Sequence, residues 1–155
     1  MRTSVDVHNV LSEKNIPYEI IPISCSISSA GRMAEVLNLS PFEVVKSILF
    51  MTDGEPILAI LSSEKKISYK KLKKATLISN LRLATLQELI DITGYMPGAT
   101  PPVAHKVSIR TVIDDDLKTQ NVIYTSAGEL NAVLKMKVFD LKKITCAKVY
   151  DLTKD

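Results

Sequence analysis

Residues 44–61, VVKSILFMTDGEPILAIL, hold two apolar runs on either side of Asp53-Gly54. An Asp-Gly pair in that position signals a hairpin, because glycine takes a positive φ at no steric cost. The first run, Val44 to Met51, is apolar on both faces of a strand, and such a strand belongs in the middle of a core. It nevertheless carries Lys46, which by the period of two shares a face with Val44, Ile48 and Phe50. An ammonium in apolar surroundings is costly unless it finds a partner or loses its proton. Two readings stay open. Lys46 snorkels to water from the start of the strand, or it is held in a pocket to meet an anion or a developing negative charge.

A chain of 155 residues suits one domain with a sizeable core. It contains no apolar run long enough to span a bilayer, and MRTSVDVHNVL is too polar for a signal peptide, so a cytoplasmic protein without membrane contact is expected. Cys25 and Cys146 belong to no paired motif, which argues against a structural disulfide or a metal site. The net charge of +3 permits an anionic partner without demanding one. With no Trp and 5% aromatics, extended base-stacking surfaces are not expected.

Residues 3–15 read as a helix capped by Thr3 or Ser4, with Val7, Val10 and Leu11 on one stripe. His8 lies in that helix with no second ligand at metal spacing. A strand follows over Tyr18–Ile23. Ser28 or Ser29 caps a helix carrying Met33, Ala34, Val36 and Leu37, which stops at Asn38. Ser40-Pro41-Phe42-Glu43 has the cap, proline and glutamate of one short turn feeding the central strand. Beyond the hairpin, Ser68 caps a short helix with Tyr69 and Leu72 inward. Leu81–Ala84 is a short strand. Thr85 and Glu88 form a capping box for a helix with Leu86, Leu89 and Ile90 inward, ended by Gly94. Val107–Ile113, Val122–Thr125, Asn131–Met136 and Cys146–Leu152 read as strands. A last helix is packed by Phe139, Leu141 and Ile144. Strands in succession, with short helices interspersed, argue for an α+β domain with a mixed, curled sheet rather than a doubly wound parallel sheet.

Three further stretches carry possible chemistry. Lys65, Lys66, Lys70, Lys71, Lys73 and Lys74 form either a solvated helix face or a phosphate-tracking patch. Two of the five glycines and three of the seven prolines fall within Gly94–Pro102, so this loop is both rigid and open to close backbone approach. It suits an oxyanion or a terminal nucleotide, or it is a plain surface loop. His105, just beyond, either lines the same site or caps the loop. Asp114, Asp115 and Asp116 suggest a metal, but neighbours in an extended chain point apart and no distant ligand set completes a site. No metal and no cofactor are expected.

VVKSILF, DGEPILAIL, GYMPGATPP and YTSAGELNAVLKM, in this order and spacing, resemble the YbaK/ProX family, free-standing aminoacyl-tRNA deacylases related to the editing domain of bacterial prolyl-tRNA synthetases. The likeness runs from about residue 26 to 145, nearly the whole chain, which is read as one domain over 1–155. It implies a barrel-like mixed sheet, hydrolysis of the ester in tRNA mischarged with a small amino acid, and aminoacyl-tRNA, with prolyl-tRNA synthetase, as partners. The family lysine falls on Lys46. The family loop falls on Gly98, Thr100, Pro101 and Pro102, with His105 beyond it, and the small-residue turn on Ser126, Ala127 and Gly128. The resemblance makes Lys46 and Gly98 catalytic, and the loop residues, His105, Ser126 and Gly128 substrate-binding; the lysines at 65–74 would serve the acceptor stem. Many relatives follow the loop proline with Phe-Gly, where this chain has Val103-Ala104. That departure keeps a second function open, a non-catalytic module that binds tRNA or docks on a synthetase. A regulatory protein with a small-molecule pocket has no positive signal.

Overall fold

The computed structural model describes residues 1–27 and 29–155. Among them β2 (Val45–Met51) and β3 (Ile57–Ser62) pair antiparallel, with Val45 opposite Ser62 and Phe50 opposite Ile57. All six residues of β3 are buried, as two apolar faces require. The connecting loop is held by Thr52, whose Oγ1 accepts from Gly54 N–H at 2.9 Å and donates to the Glu55 carbonyl at 2.7 Å. The hairpin stands where the sequence places it, but its glycine is not in the left-handed region. The five residues between the strands turn the chain without the conformation that a two-residue loop would need.

This pair is the centre of a five-stranded sheet in the order β4-β2-β3-β5-β8. The short edge strand β4 (Arg82–Leu83) joins β2 antiparallel, whereas β5 (Arg110–Asp114) joins β3 in parallel and β8 (Lys148–Tyr150) joins β5 in parallel. A second, antiparallel sheet runs β1 (Tyr18–Pro22), β7 (Ala132–Lys137), β6 (Val122–Ser126). The sheets touch through one parallel bridge, Val44 to Tyr124. They do not close, which corrects the barrel-like expectation: β4 pairs over only two residues, and β1 and β8 end their sheets without a further strand among the described residues. The result is an α+β domain built on two sheets, and among the described residues no helix is long and apolar enough to cross a membrane.

The main core fills the space between the sheets. Val45 and Leu49 of β2, Leu58 and Ile60 of β3, Ile123 of β6 and Leu134 of β7 meet there, closed by Val7 and Leu11 of α1 (Ser4–Glu13) and Leu141 of α5 (Val138–Thr145). The other face of the hairpin, Phe50, Ile57, Ala59 and Leu61, lies under Leu72 of α3 (Tyr69–Thr76). Val44 and Val133 lie under Met33 and Ala34 of α2 (Ala30–Leu37). Caps fall at the expected residues. Thr3 and Thr85 form capping boxes for α1 and α4 (Leu86–Thr93), Ser29 Oγ accepts from Arg32 N–H at 3.2 Å, and Asn38 ends α2 in a left-handed conformation. Ser28, the other expected cap of α2, lies outside the described residues.

Three expectations are corrected by packing. Leu86 is 67% exposed because the inward stripe of α4 passes through Leu89 and Ile92 instead. Phe139 is 73% exposed because α5 buries Val138 and Leu141, about 100° and 160° around the helix from it. β5 starts at Arg110 rather than Val107 because its partner β3 begins at Ile57, directly opposite Arg110. Asp114 is fully buried at the end of β5. Its carboxylate accepts from Leu152 N–H at 2.8 Å and from Asp116 N–H at 3.4 Å, so it anchors the C-terminal segment. Burial pushes its pKa up despite those bonds.

Gly128 follows β6 with φ +95°, and a Cβ there would stand 2.8 Å from the Thr3 carbonyl carbon. Gly128→Ala is therefore expected to lower the unfolding free energy by about 2 kcal/mol or more. Urea unfolding should show a lower midpoint at unchanged m-value, and wild-type stability would mean that the N-terminus does not pack on this turn.

Candidate functional site

The loop after α4 is built by backbone geometry. Gly94 ends the helix at φ +86°, its N–H donating to Ile90 at 2.9 Å. Ala99 N–H donates to Met96 at 3.0 Å, and Gly98 turns the chain at φ +82°. Residues Ala99 to Val103, with Thr100, Pro101 and Pro102 among them, are buried, and Gly98 is left exposed at the tip. Two bonds fasten this tip to the turn after β6. Ser126 Oγ donates to the Gly98 carbonyl, and Gly128 N–H donates to the Ala99 carbonyl, each at 2.9 Å. Gly98, Ser126 and Gly128, far apart in sequence, are thereby brought together.

Lys46 stands on β2, in the other sheet. It pairs with Leu61 and lies on the β2 face that carries Ile48 and Phe50, beneath the helices rather than in the main core. The parallel Val44–Tyr124 bridge ties the start of the strand that carries Lys46 to β6, two residues before Ser126. Lys46 is half-buried, and burial lowers its pKa, with Lys66 pushing the same way and Glu64 opposing. On the second sheet, Lys135 Nζ lies 5.8 Å from the Tyr124 ring centroid.

His105 goes elsewhere. Its Nε2 lies 2.7 Å from the Pro101 carbonyl, which only accepts, so this nitrogen carries the proton. The ring stands edge-on to Tyr95 and lines a cavity of about 310 Å³ with Val10, Lys14, Ile109 and Thr145, a set that includes neither Lys46 nor Gly98. His105 caps the loop from behind. The lysine cluster also divides. Lys71 Nζ is held by the Thr153 carbonyl at 2.7 Å, Asp151 at 2.9 Å and Asp155 at 3.0 Å, and Lys65 pairs with Asp116 at 3.4 Å. Lys66, Lys70, Lys73 and Lys74 are exposed and form no ion pair among the described residues. The Asp114, Asp115 and Asp116 carboxylates lie within 4.8 Å of one another, but Asp114 is engaged by backbone N–H groups and Asp116 by Lys65.

Residues 26–144 match the model of the aminoacyl-tRNA editing domain. The chain belongs to the aminoacyl-tRNA editing domain family. It is 30% identical over 104 residues to the proline–tRNA ligases of Staphylococcus haemolyticus (strain JCSC1435) and Staphylococcus aureus (strain Newman), a stretch covering 67% of this chain and 18% of each ligase. The chain therefore spans less than a fifth of those relatives. Among solved structures, a protein described as a candidate trans-editing enzyme for prolyl tRNA synthetase superposes with TM-score 0.92 at 22% identity, covering 100% of this chain and 99% of that one. At that identity the likeness speaks for the fold.

Within the editing domain, the Val103-Ala104 departure includes a residue in an uncommon backbone conformation. Ala104 stands where many relatives carry the glycine of Phe-Gly, and it takes a left-handed φ of +64° all the same. Its carbonyl accepts from Tyr95 Oη at 2.7 Å and from Arg2 Nη1 at 3.2 Å. Arg2 lies in no motif, 102 positions from Ala104, and Tyr95, inside the GYMPGATPP stretch, carried no sign of its partner; the one available signal was an alanine in a glycine position.

Burial lowers the pKa of His105 from its ordinary 6.5. Just below that pH the unfolded chain binds more protons here than the folded one, so stability is complete above 6.5 and is lost as the pH falls below it. His105→Gln keeps an N–H for the Pro101 carbonyl and removes the titration. Between about pH 7 and pH 5.5 the urea midpoint of the wild type should fall further than that of the variant. Equal falls would mean that His105 does not titrate against burial.

Proposed function

We propose that this chain is a trans-acting aminoacyl-tRNA hydrolase that removes a small amino acid from mischarged tRNA. The observation that carries the reading is the Val44–Tyr124 bridge, which joins the start of the strand bearing the half-buried Lys46 to the strand ending in Ser126, whose hydroxyl donates to the Gly98 carbonyl. On this reading the family lysine and the family glycine bend face one acceptor site. Membership of the editing family and the likeness to proline–tRNA ligases support the substrate class.

The chemistry asked of the site is modest, because an aminoacyl ester is already activated. Water, or a group on the substrate itself, attacks the carbonyl carbon. The carbonyl oxygen becomes an oxyanion near the backbone N–H groups of the Gly98 bend, the acyl–oxygen bond breaks, and the terminal ribose hydroxyl leaves with a proton. Lys46 holds the terminal adenosine through phosphate or ribose and adds positive potential, and its half-burial strengthens that field relative to water. Thr100, Pro101 and Pro102 shape the pocket, which need only reject side chains that are too large. The whole chain acts as one domain in the cytoplasm, without metal or cofactor, and prolyl-tRNA synthetase is a fitting partner. The non-catalytic alternative rests on the Val103-Ala104 departure, and the left-handed turn that Ala104 takes, a conformation glycine ordinarily supplies, weighs against it.

Lys46→Ala is expected to reduce deacylation about 10²–10³-fold with the circular dichroism spectrum unchanged. The assay is a panel of mischarged tRNAs incubated with purified protein. Hydrolysis by the variant at the wild-type rate would remove Lys46 from the mechanism, and a wild type that binds but hydrolyses none of the panel would favour the binding module.

The exposed lysines of α3 are read as the acceptor-stem contact. Replacing Lys70, Lys73 and Lys74 with Gln should flatten the plot of log affinity against log salt by about 0.9 for each phosphate left unneutralised. Lys71→Gln should change that slope little, because its charge is already taken up by Asp151 and Asp155. The opposite ranking would move the RNA off this helix.

A further inference from the structure

We propose that Arg2 is a positioning residue for the Gly98–Pro102 bend, acting by holding Ala104 in a backbone conformation that alanine ordinarily avoids. The proposal rests on the reading of that bend as the reactive part of the site. Arg2 reaches both ends of the loop. Its N–H donates to the Gly94 carbonyl at 2.8 Å, and its Nη1 donates to the Ala104 carbonyl at 3.2 Å. Its aliphatic stem lies on Gly94, where a Cβ would stand 3.0 Å from Arg2 Cγ and Cδ. Asp6, 3.7 Å from the guanidinium, steadies it from one helical turn away.

The need for such a brace follows from Ala104 itself. At φ +64° its Cβ crowds the backbone, a region that residues other than Gly, Asn and Asp visit rarely. Two donors, Tyr95 Oη and the Arg2 guanidinium, converge on its carbonyl and offset that strain. The reversal at Ala104 is also what lets His105 return to the Pro101 carbonyl and close the back of the loop.

The same strap touches the front. The Thr3–Ser4 backbone packs on Gly128, whose N–H holds the Ala99 carbonyl, and Ser4 N–H and Oγ both donate to Glu129. Three consecutive residues of the N-terminus therefore grip both the ends of the bend and the turn that fixes its tip. Loosening the strap displaces the Gly98 peptide without touching Lys46 or the exposed lysines. Small misplacement of groups aimed at a transition state lowers kcat more than it weakens substrate binding.

The test uses Arg2→Ala, Ala104→Gly and the double variant. In Arg2→Ala the Ala99 amide, which donates to Met96, should exchange with deuterium about tenfold faster than in the wild type, while the amides of β3 keep their rates. Its kcat for deacylation should fall about 10–100-fold with KM within about twofold. Ala104→Gly in the Arg2→Ala background should restore most of both, since glycine takes the left-handed region without a brace. A purely structural role for Arg2 would not be rescued at that position. Unchanged exchange at Ala99, acceleration that extends equally to β3, or a double variant as impaired as Arg2→Ala would each overturn the proposal. Exchange is read without catalysis, so a wild type that hydrolyses no mischarged tRNA would sink the hydrolase reading alone, and the brace would stand or fall on the amide rates.

Discussion

A strand pair that is apolar on both faces must be covered on both, and that constraint organises the molecule. β2 and β3 cannot form the exposed wall of a two-layer protein. One face is covered by the second sheet with α1 and α5, the other by α3 and the C-terminal segment around Leu152. The second sheet is brought against β2 at the Val44–Tyr124 bridge, where the strand that carries Lys46 begins. The lysine thus emerges where two layers meet, half out of water, in a place dictated by the burial of its neighbours.

That location has an electrostatic consequence. A surface lysine is screened and mobile, and its field is weak at a few ångströms. Lys46 is partly desolvated, with Lys66 pushing its pKa in the same direction as burial. Such a cation gains most from an anion that takes the place of lost water, and a phosphodiester or a forming oxyanion is such an anion. In the glycine bend, Ser126 and Gly128 hold the two carbonyls of the tip, which fixes the directions of its peptide groups.

Much of the fold was legible locally. Continuous apolar runs on either side of Asp53-Gly54 located the buried hairpin, and Ser/Thr caps with a glutamate three residues on located α4 and the turn before β2, because a helix start is decided within four residues. The misreadings were non-local. Gly54 suggested a tight primed turn, yet the loop is long enough to avoid one. Leu86 and Phe139 have the composition of a core face, but which side of a short helix is buried depends on the surface it meets. The expectation of a barrel failed at the edges, since closure depends on how far terminal strands extend and pair.

For the candidate site, the sequence drew attention to Lys46, the Gly98–Pro102 loop and the Ser126–Gly128 turn, because each asks for a residue type that is unusual where it stands: a charge in a greasy strand, glycine and proline in a rigid bend, small residues at a close approach. The partition of roles came only with the tertiary structure. His105 turned inward to the Pro101 carbonyl, Lys71 was taken up by carboxylates at the far end of the chain, and Arg2 met Ala104 across 102 positions. Sequence determines what each side chain is able to do within its own turn or strand. Which carbonyl, carboxylate or ring it finally meets is decided by long-range packing, since hydrogen bonds act over about 3 Å and only the folded chain brings distant residues within that range.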